Sequence, residues 1–411
     1  MKKILLLALT VLLISTLSLV GCEELEQAAP ANGEQQGQAT DANTADGAEA
    51  EELQLVDGIY RGTYDDEVTA RFKVIDNKID SMMLMTLAHK GTNYKELKEG
   101  DPLYPVLQQY NQMLEHLKGK TVSTALVELE KPGDFISDVD GFTGATLRTS
   151  KVKSAMHDAL NRGVYGPENV ADVSVNDKKY ADGAYRGYFE GQTTVWFTLE
   201  NNTFVKLSYR DLAHGGTNYL EVKEGDEKYP IVQQQEQILE YLMGKTVSQL
   251  NDLYTPANFV DDIDGFSGAT IRSAKVLSSI NDGLNRGPYK PAEGFAGTIG
   301  EYEDGRYRGH FAGQVVAQFN VENNTFKKVN FRKLLHMDND YTKMVEGDEL
   351  YPVYTQNLQI AEYLEGKPLS AVYDLYTPGE FVDDADGFSG ATVRGAKVLS
   401  AIMDGLNRGI Y

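Results

Sequence analysis

The feature that most constrains this fold is a threefold internal repeat. Asp57-Gly-Ile-Tyr-Arg-Gly62, Asp182-Gly-Ala-Tyr-Arg-Gly187 and Asp304-Gly-Arg-Tyr-Arg-Gly309 open the copies. Leu160-Asn-Arg-Gly-Val-Tyr165, Leu284-Asn-Arg-Gly-Pro-Tyr289 and Leu406-Asn-Arg-Gly-Ile-Tyr411 close them. The copies therefore span 57–165, 182–289 and 304–411, each 108 or 109 residues. That is a normal domain length, long enough to bury its own core. The expectation is three separate beads rather than a solenoid, with adjustable spacing along the links 166–181 and 290–303.

Inside each copy the apolar period changes from strand-like to helical. Thr193-Thr-Val-Trp-Phe-Thr-Leu199, the turn residues Asn201-Asn202 and the run from Phe204 to Tyr209 predict a hairpin. Asp76-Asn77 and Asn323-Asn324 hold the same place in the other copies. Tyr104-Pro105, Tyr229-Pro230 and Tyr351-Pro352 predict a first helix, because proline suits a first helical turn. That helix should end near Gly119, Gly244 or Gly366. A second helix is expected from the Gly-Ala-Thr segment discussed below, with Val152, Ala155, Met156, Ala159 and Leu160 on one face and Gly163, Gly287 or Gly409 as its C-terminal cap. The expected fold class is α+β: three tandem homologous domains, each an antiparallel sheet with two or three helices, after a disordered tether.

Lys2 and Lys3 precede an apolar run that ends in Leu19-Val20-Gly21-Cys22. The pattern resembles a bacterial lipoprotein signal, which implies a signal peptide over 1–21 and lipid on Cys22. Residues 22–56 hold no aromatic residue and are rich in small and polar types, so they read as a flexible linker. Cys22 is the only cysteine. Once it is lipidated no thiol remains for a disulfide, a c-type haem or an iron–sulfur cluster. The 6 histidines are scattered and predict no metal site. With 39 basic against 61 acidic residues and a net charge of −22, the chain is not expected to bind nucleic acid. The membrane is expected as a partner through the lipid anchor alone.

The most chemically suggestive segment also recurs three times. It reads Asp140-Gly-Phe-Thr-Gly-Ala-Thr146, Asp264-Gly-Phe-Ser-Gly-Ala-Thr270 and Asp386-Gly-Phe-Ser-Gly-Ala-Thr392, followed by Arg148, Arg272 and Arg394. Gly144, Gly268 and Gly390 permit close backbone approach, and Ala145, Ala269 and Ala391 add little bulk. A threonine at the mouth of a helix suits an anion, which the exposed N–H groups and helix dipole attract. A capping turn alone would also use threonine there, but would not need the whole heptad. No Gly-Lys-Ser/Thr follows, so this is no P-loop. In an EF-hand register, Leu147, Ile271 and Val393 would stand where calcium needs a glutamate.

The heptad resembles the acceptor motif of the FMN-binding domain family, found in subunits of sodium-pumping and related redox complexes and in flavinylated bacterial lipoproteins. The resemblance runs from Asp57 to Tyr411 and includes the Asp-Gly-x-Tyr-x-Gly openings; Thr143 stands where Ser267 and Ser389 stand in the other copies. It implies three FMN cofactors, each joined by a flavin transferase to Thr146, Thr270 or Thr392 through a phosphoester. Asp140, Asp264 and Asp386 would repel the phosphate, so they are expected to orient the loop or to serve the transferase. The arginines would neutralise phosphate or these acids. Asp261-Asp262 and Asp383-Asp384 read as a solvated acidic rim.

A second recurring set is His89, His214 and His336, each five residues before Tyr94, Tyr219 or Tyr341. Histidine relays protons near neutral pH, and tyrosine stacks on a ring. Ordinary loop and core roles would explain both. Copy three departs from the Leu-Ala-His-x-Gly-Thr-Asn-Tyr pattern, so its flavin is expected to differ in potential. Trp196 reads as core or edge packing. The expected function is a lipid-anchored, multi-flavin electron carrier on the extracytoplasmic face of the bacterial cell membrane. It would pass electrons from a membrane donor, such as a quinone-linked dehydrogenase, to a soluble, mineral or protein acceptor, without a substrate pocket of its own. The rivals are a flavin-dependent extracellular reductase of one acceptor and a non-redox surface-binding lipoprotein.

Overall fold

The computed structural model describes residues 52–136, 149–261, 273–336, 339–383 and 395–411. The class is α+β with three antiparallel sheets. In repeat one, β1 (Gly58–Tyr64), β2 (Val68–Ile75) and β3 (Lys78–His89) form a meander flanked by β4 (Thr92–Asn93). Helices α1 (Tyr104–Leu117), α2 (Val122–Glu128) and α3 (Thr149–Arg162) follow, and β5 (Gly166–Pro167) pairs back onto β1. Repeat two has β6 (Gly183–Phe189), β7 (Thr193–Glu200), β8 (Thr203–His214), β9 (Thr217–Asn218), α4 (Tyr229–Leu242), α5 (Ser273–Arg286) and β10 (Lys290–Pro291). Repeat three has β11 (Gly305–Phe311), β12 (Val315–Glu322), β13 (Thr325–His336), β14 (Asn339–Asp340), α6 (Tyr351–Leu364) and α7 (Gly395–Asn407). In repeats two and three, 3-10 turns over Val247–Tyr254 and Leu369–Tyr376 replace α2.

The local signals explain these elements. Asp76-Asn77, Asn201-Asn202 and Asn323-Asn324 all have positive φ, as a two-residue hairpin of the primed turn types requires. Each turn is pinned by the opening aspartate: Asp57, Asp182 and Asp304 accept from the N–H of Asp76, Asn201 and Asn323. The opening tyrosines stack on Phe72, Phe197 and Phe319, and their hydroxyls donate to carbonyls four residues back. The glycine that ends each opening has a packing reason. A Cβ on Gly62, Gly187 or Gly309 would overlap the backbone of α3, α5 or α7, so only glycine lets the first strand lie this close to the C-terminal helix. The proline-led helices form as expected. On α3, Val152, Ala155, Met156 and Ala159 are buried, whereas Leu160 is only partly so.

The expectation of loosely spaced beads is corrected. Residues 50–411 form one compact unit, closed by a cyclic network at the ends of α3, α5 and α7. Arg162 bonds Asp158 of its own helix at 2.7 Å and Asp282 of repeat two at 3.1 Å. Arg286 bonds Asp282 and Asp404, both at 2.9 Å. Arg408 bonds Asp404 at 2.7 Å and returns to Asp158 at 2.9 Å. Each arginine also donates to two carbonyls of the following repeat, Arg286 to those of His310 and Ser400. Each aspartate takes a strand N–H, from Thr63, Tyr188 or His310. Six buried charges thus alternate in sign around a closed ring, and fully bonded pairing is what makes such burial tolerable. A second ring lies beside it: the side-chain amides of Asn161, Asn285 and Asn407 donate to the carbonyls of Asn407, Asn161 and Asn285.

Aromatic contacts follow the same cycle. Tyr165 stacks on Phe189, Tyr289 on Phe311, and Tyr411 on Tyr64. The links are docked as well: residues 166–167 and 290–291 pair into sheets, Asn251 holds the carbonyls of Val173 and Ser174, and Tyr373 holds that of Thr298. The end of the expected linker already belongs to the fold, since the N–H groups of Leu53 and Leu55 bond Ser123 and Asn77.

Candidate functional site

Each heptad runs directly into a C-terminal helix. Helices α3, α5 and α7 begin at Thr149, Ser273 and Gly395, three residues after Thr146, Thr270 and Thr392. The helix starts are fixed by packing. The Ser273 hydroxyl donates to the Leu253 carbonyl, and a Cβ on Gly395 would overlap the carbonyl of Leu375. The heptads themselves lie outside the described residues. That covers Asp140, Thr143, Gly144, Ala145 and Thr146; Asp264, Ser267, Gly268, Ala269 and Thr270; Asp386, Ser389, Gly390, Ala391 and Thr392; and the arginines that follow. Cys22 lies outside them too. The approach to two heptads is described: Gln234 and Gln237 bond Asp261, while Gln356 and Gln359 bond Asp383. The glutamine-rich face of the preceding helix therefore anchors the entry to the loop.

A lysine that the sequence did not flag stands five residues after the last threonine of each heptad. Lys151, Lys275 and Lys397 are buried, at 5%, 7% and 9% exposure. A cation in the first turn opposes the helix dipole, and burial adds a desolvation cost, so the position calls for anionic company. In repeat one Glu67 supplies it. Lys151 Nζ pairs with Glu67, and His89 Nδ1 lies 2.7 Å from Glu67 Oε1 and 3.1 Å from Lys151 Nζ. Burial by itself would raise the Glu67 carboxyl, but the bonds from Lys151 and His89 outweigh it and hold the carboxyl below its ordinary range. In repeat two the same place on the hairpin carries the neutral Gln192. Lys275 Nζ is 2.7 Å from its Oε1 and 3.4 Å from His214 Nδ1. Repeat three has Gln314 there.

Two expected histidines therefore meet the helix starts. His336 ends β13 in the same register. Tyr94, Tyr219 and Tyr341 are core residues, at 3%, 6% and 5% exposure. Tyr219 borders a void of about 20 Å³ beneath His214 and Lys275, room for a water rather than an aromatic ring.

A larger cleft of about 450 Å³ opens between repeats one and two. Arg61, Arg71, Met85 and Tyr165 line one side, and His214 and Lys275 the other. Its size falls in the range of small-molecule sites. Arg61 is held across the interface by Glu190, with Nε 2.5 Å from Oε1. Among the described residues Arg71 makes no ion pair; its guanidinium is 3.9 Å from the Met83 sulfur. Trp196 occupies the register of Arg71 in repeat two. It packs edge-on to Tyr289, the last residue of its own repeat, at the border of the core of repeat three.

The carboxylates close enough to share a cation, among the described residues, are Asp158, Asp282 and Asp404, with atoms within 4.8 Å. Each is already bonded to two arginines, which neutralises the cluster. No helix among the described residues is long and apolar enough to cross a membrane.

An FMN phosphoester fits what surrounds the helix starts. A threonine three residues ahead of Ser273 is at most about 11 Å of chain away from it. Lys275 and His214 are cationic or proton-bearing groups at that end of the cleft, and the cleft is of cofactor size. No family model, curated protein or solved structure matches this chain.

Proposed function

We propose that the chain is a membrane-tethered, multi-flavin electron carrier built from three tandem domains, with FMN joined to Thr146, Thr270 and Thr392. The observation that carries this reading is the threefold recurrence of the heptad ahead of the same helix, each time with a buried lysine five residues on. In maturation the threonine Oγ would bond the FMN phosphorus of FAD, the pyrophosphate bond would break, and AMP and the hydroxyl proton would leave. Bound FMN would supply electron transfer in one- or two-electron steps. Lys151, Lys275 and Lys397 would offset phosphate or ring charge, and His89 and His214 stand where a proton relay is useful. The lipidated Cys22 would hold the carrier at the extracytoplasmic face of the cell membrane, between a membrane donor and a soluble, mineral or protein acceptor.

Intact mass of the full chain co-produced with a flavin transferase tests the reading. Three FMN-sized increments are expected, and each Thr→Ala substitution should remove one. A chain that gains no increment would overturn it.

A further inference from the structure

We infer that the second cofactor is held by two repeats, with the sheet of repeat one forming the far wall of the site whose helix and histidine come from repeat two. The inference rests on the flavin reading above and goes beyond it, because an acceptor motif in one repeat says nothing about a neighbour. The cleft joins Lys275 and His214 to Arg71 and Met85 in one space of about 450 Å³. The lysine stands on the first turn of α5, the helix that follows the second heptad in the chain, and the histidine lies 3.4 Å from it. Arg71 and Met85 project from β2 and β3 of the preceding repeat. Met85 is 37% exposed, apolar surface that a flat ring would cover.

The charge fits the occupant. The chain is strongly acidic, at −22, yet this cleft gathers Arg71 and Lys275 beside an Arg61 already paired with Glu190. Reduction of a flavin ring by two electrons and one proton leaves it negative, and nearby cations favour that state. The sheet position of Arg71 recurs in the other repeats, but its chemistry does not. The register held by Arg71 carries Trp196 in repeat two and Gln318 in repeat three. The same strand position therefore presents an arginine, an indole and an amide in repeats one, two and three.

The test uses full-length, flavinylated protein. In a Thr146→Ala/Thr392→Ala background only Thr270 carries FMN, which intact mass verifies before titration. Arg71→Glu should then disfavour the reduced ring about tenfold, a fall of about 30 mV in a two-electron midpoint potential. Met85→Lys should raise the potential. Neither should move the potential of FMN on Thr146 in a Thr270→Ala/Thr392→Ala background. Both side chains are at least partly exposed, so folding is checked by the unfolding temperature alone. Flavin present on Thr270 with a potential unmoved by both substitutions would overturn this inference and leave the function standing. Equal shifts at Thr146 and Thr270 would overturn it too. Absence of FMN would overturn both.

Discussion

The ring of arginines and aspartates makes a quantitative claim about cooperativity. Arg286→Ala removes bonds to Asp282 and Asp404 and to the carbonyls of His310 and Ser400. Both carboxylates stay buried at 4% exposure with one arginine each. Breaking a buried ion pair from one side costs about 3–5 kcal/mol. Taking about 4 kcal/mol and an unfolding entropy of about 2.1 cal/mol/K per residue, a single cooperative unit of roughly 360 residues should lose about 5 °C in midpoint. Arg286→Lys should recover only part of this, because one ammonium cannot replace a planar fork that reaches two carboxylates. Arg162→Ala/Arg286→Ala should be non-additive by about 0.5–3 kcal/mol, since both arginines share Asp282. Calorimetry and denaturant unfolding on the full chain read all three. Three separate transitions, or an Arg286→Ala loss under about 1 kcal/mol, would refute the view that the ring locks the repeats together.

Other outcomes follow from single contacts. Gly187→Ala should destabilise by about 1–3 kcal/mol or more, because β6 and α5 must separate to admit the methyl; an unchanged denaturation midpoint would show that the two backbones have slack. The carboxyls of Asp158 and Asp404 are held below their ordinary range: burial opposes this, but the arginines beside them prevail. Their contribution is therefore present above the unfolded carboxyl value of about 4 and is lost as pH falls through the lower folded values. Unfolding midpoints measured against pH should show this loss, and Asp404→Asn should flatten it. Glu67 is depressed in the same sense, so Glu67→Gln should lower stability at pH 7 and have less effect at pH 3. If FMN is present on Thr146, the same substitution should raise its potential, which single-acceptor titration would reveal.

Much of the local structure was legible in the sequence. The Asn-Asn and Asp-Asn turns, the Tyr-Pro helix starts and the Gly163, Gly287 and Gly409 caps depend on backbone preferences of neighbouring residues. The candidate site was legible only in part. The heptad and His89 were visible because they recur. Lys151, Lys275 and Lys397 recur just as faithfully, but a lysine on a helix reads as solvated surface until burial is known. Recurrence five residues after the heptad threonine was the available signal. The Asp-x-Leu-Asn-Arg closures looked like domain punctuation, yet their Asp and Arg bond across repeats that lie more than 100 residues apart in the chain.

The sequence by itself determined the threefold repeat, the α+β class, the hairpin turns, the proline-led helix starts and the place of the heptads in the chain. Those follow from period, turn chemistry and repetition, all short-range. Only the tertiary structure decided that the three repeats close on one another, because that depends on which buried charges meet. It also decided that the cleft at Lys275 and His214 of the second repeat is walled on its far side by Arg71 and Met85 of the first. No local pattern records which sheet face lies against which helix end when the two belong to different copies of the same motif.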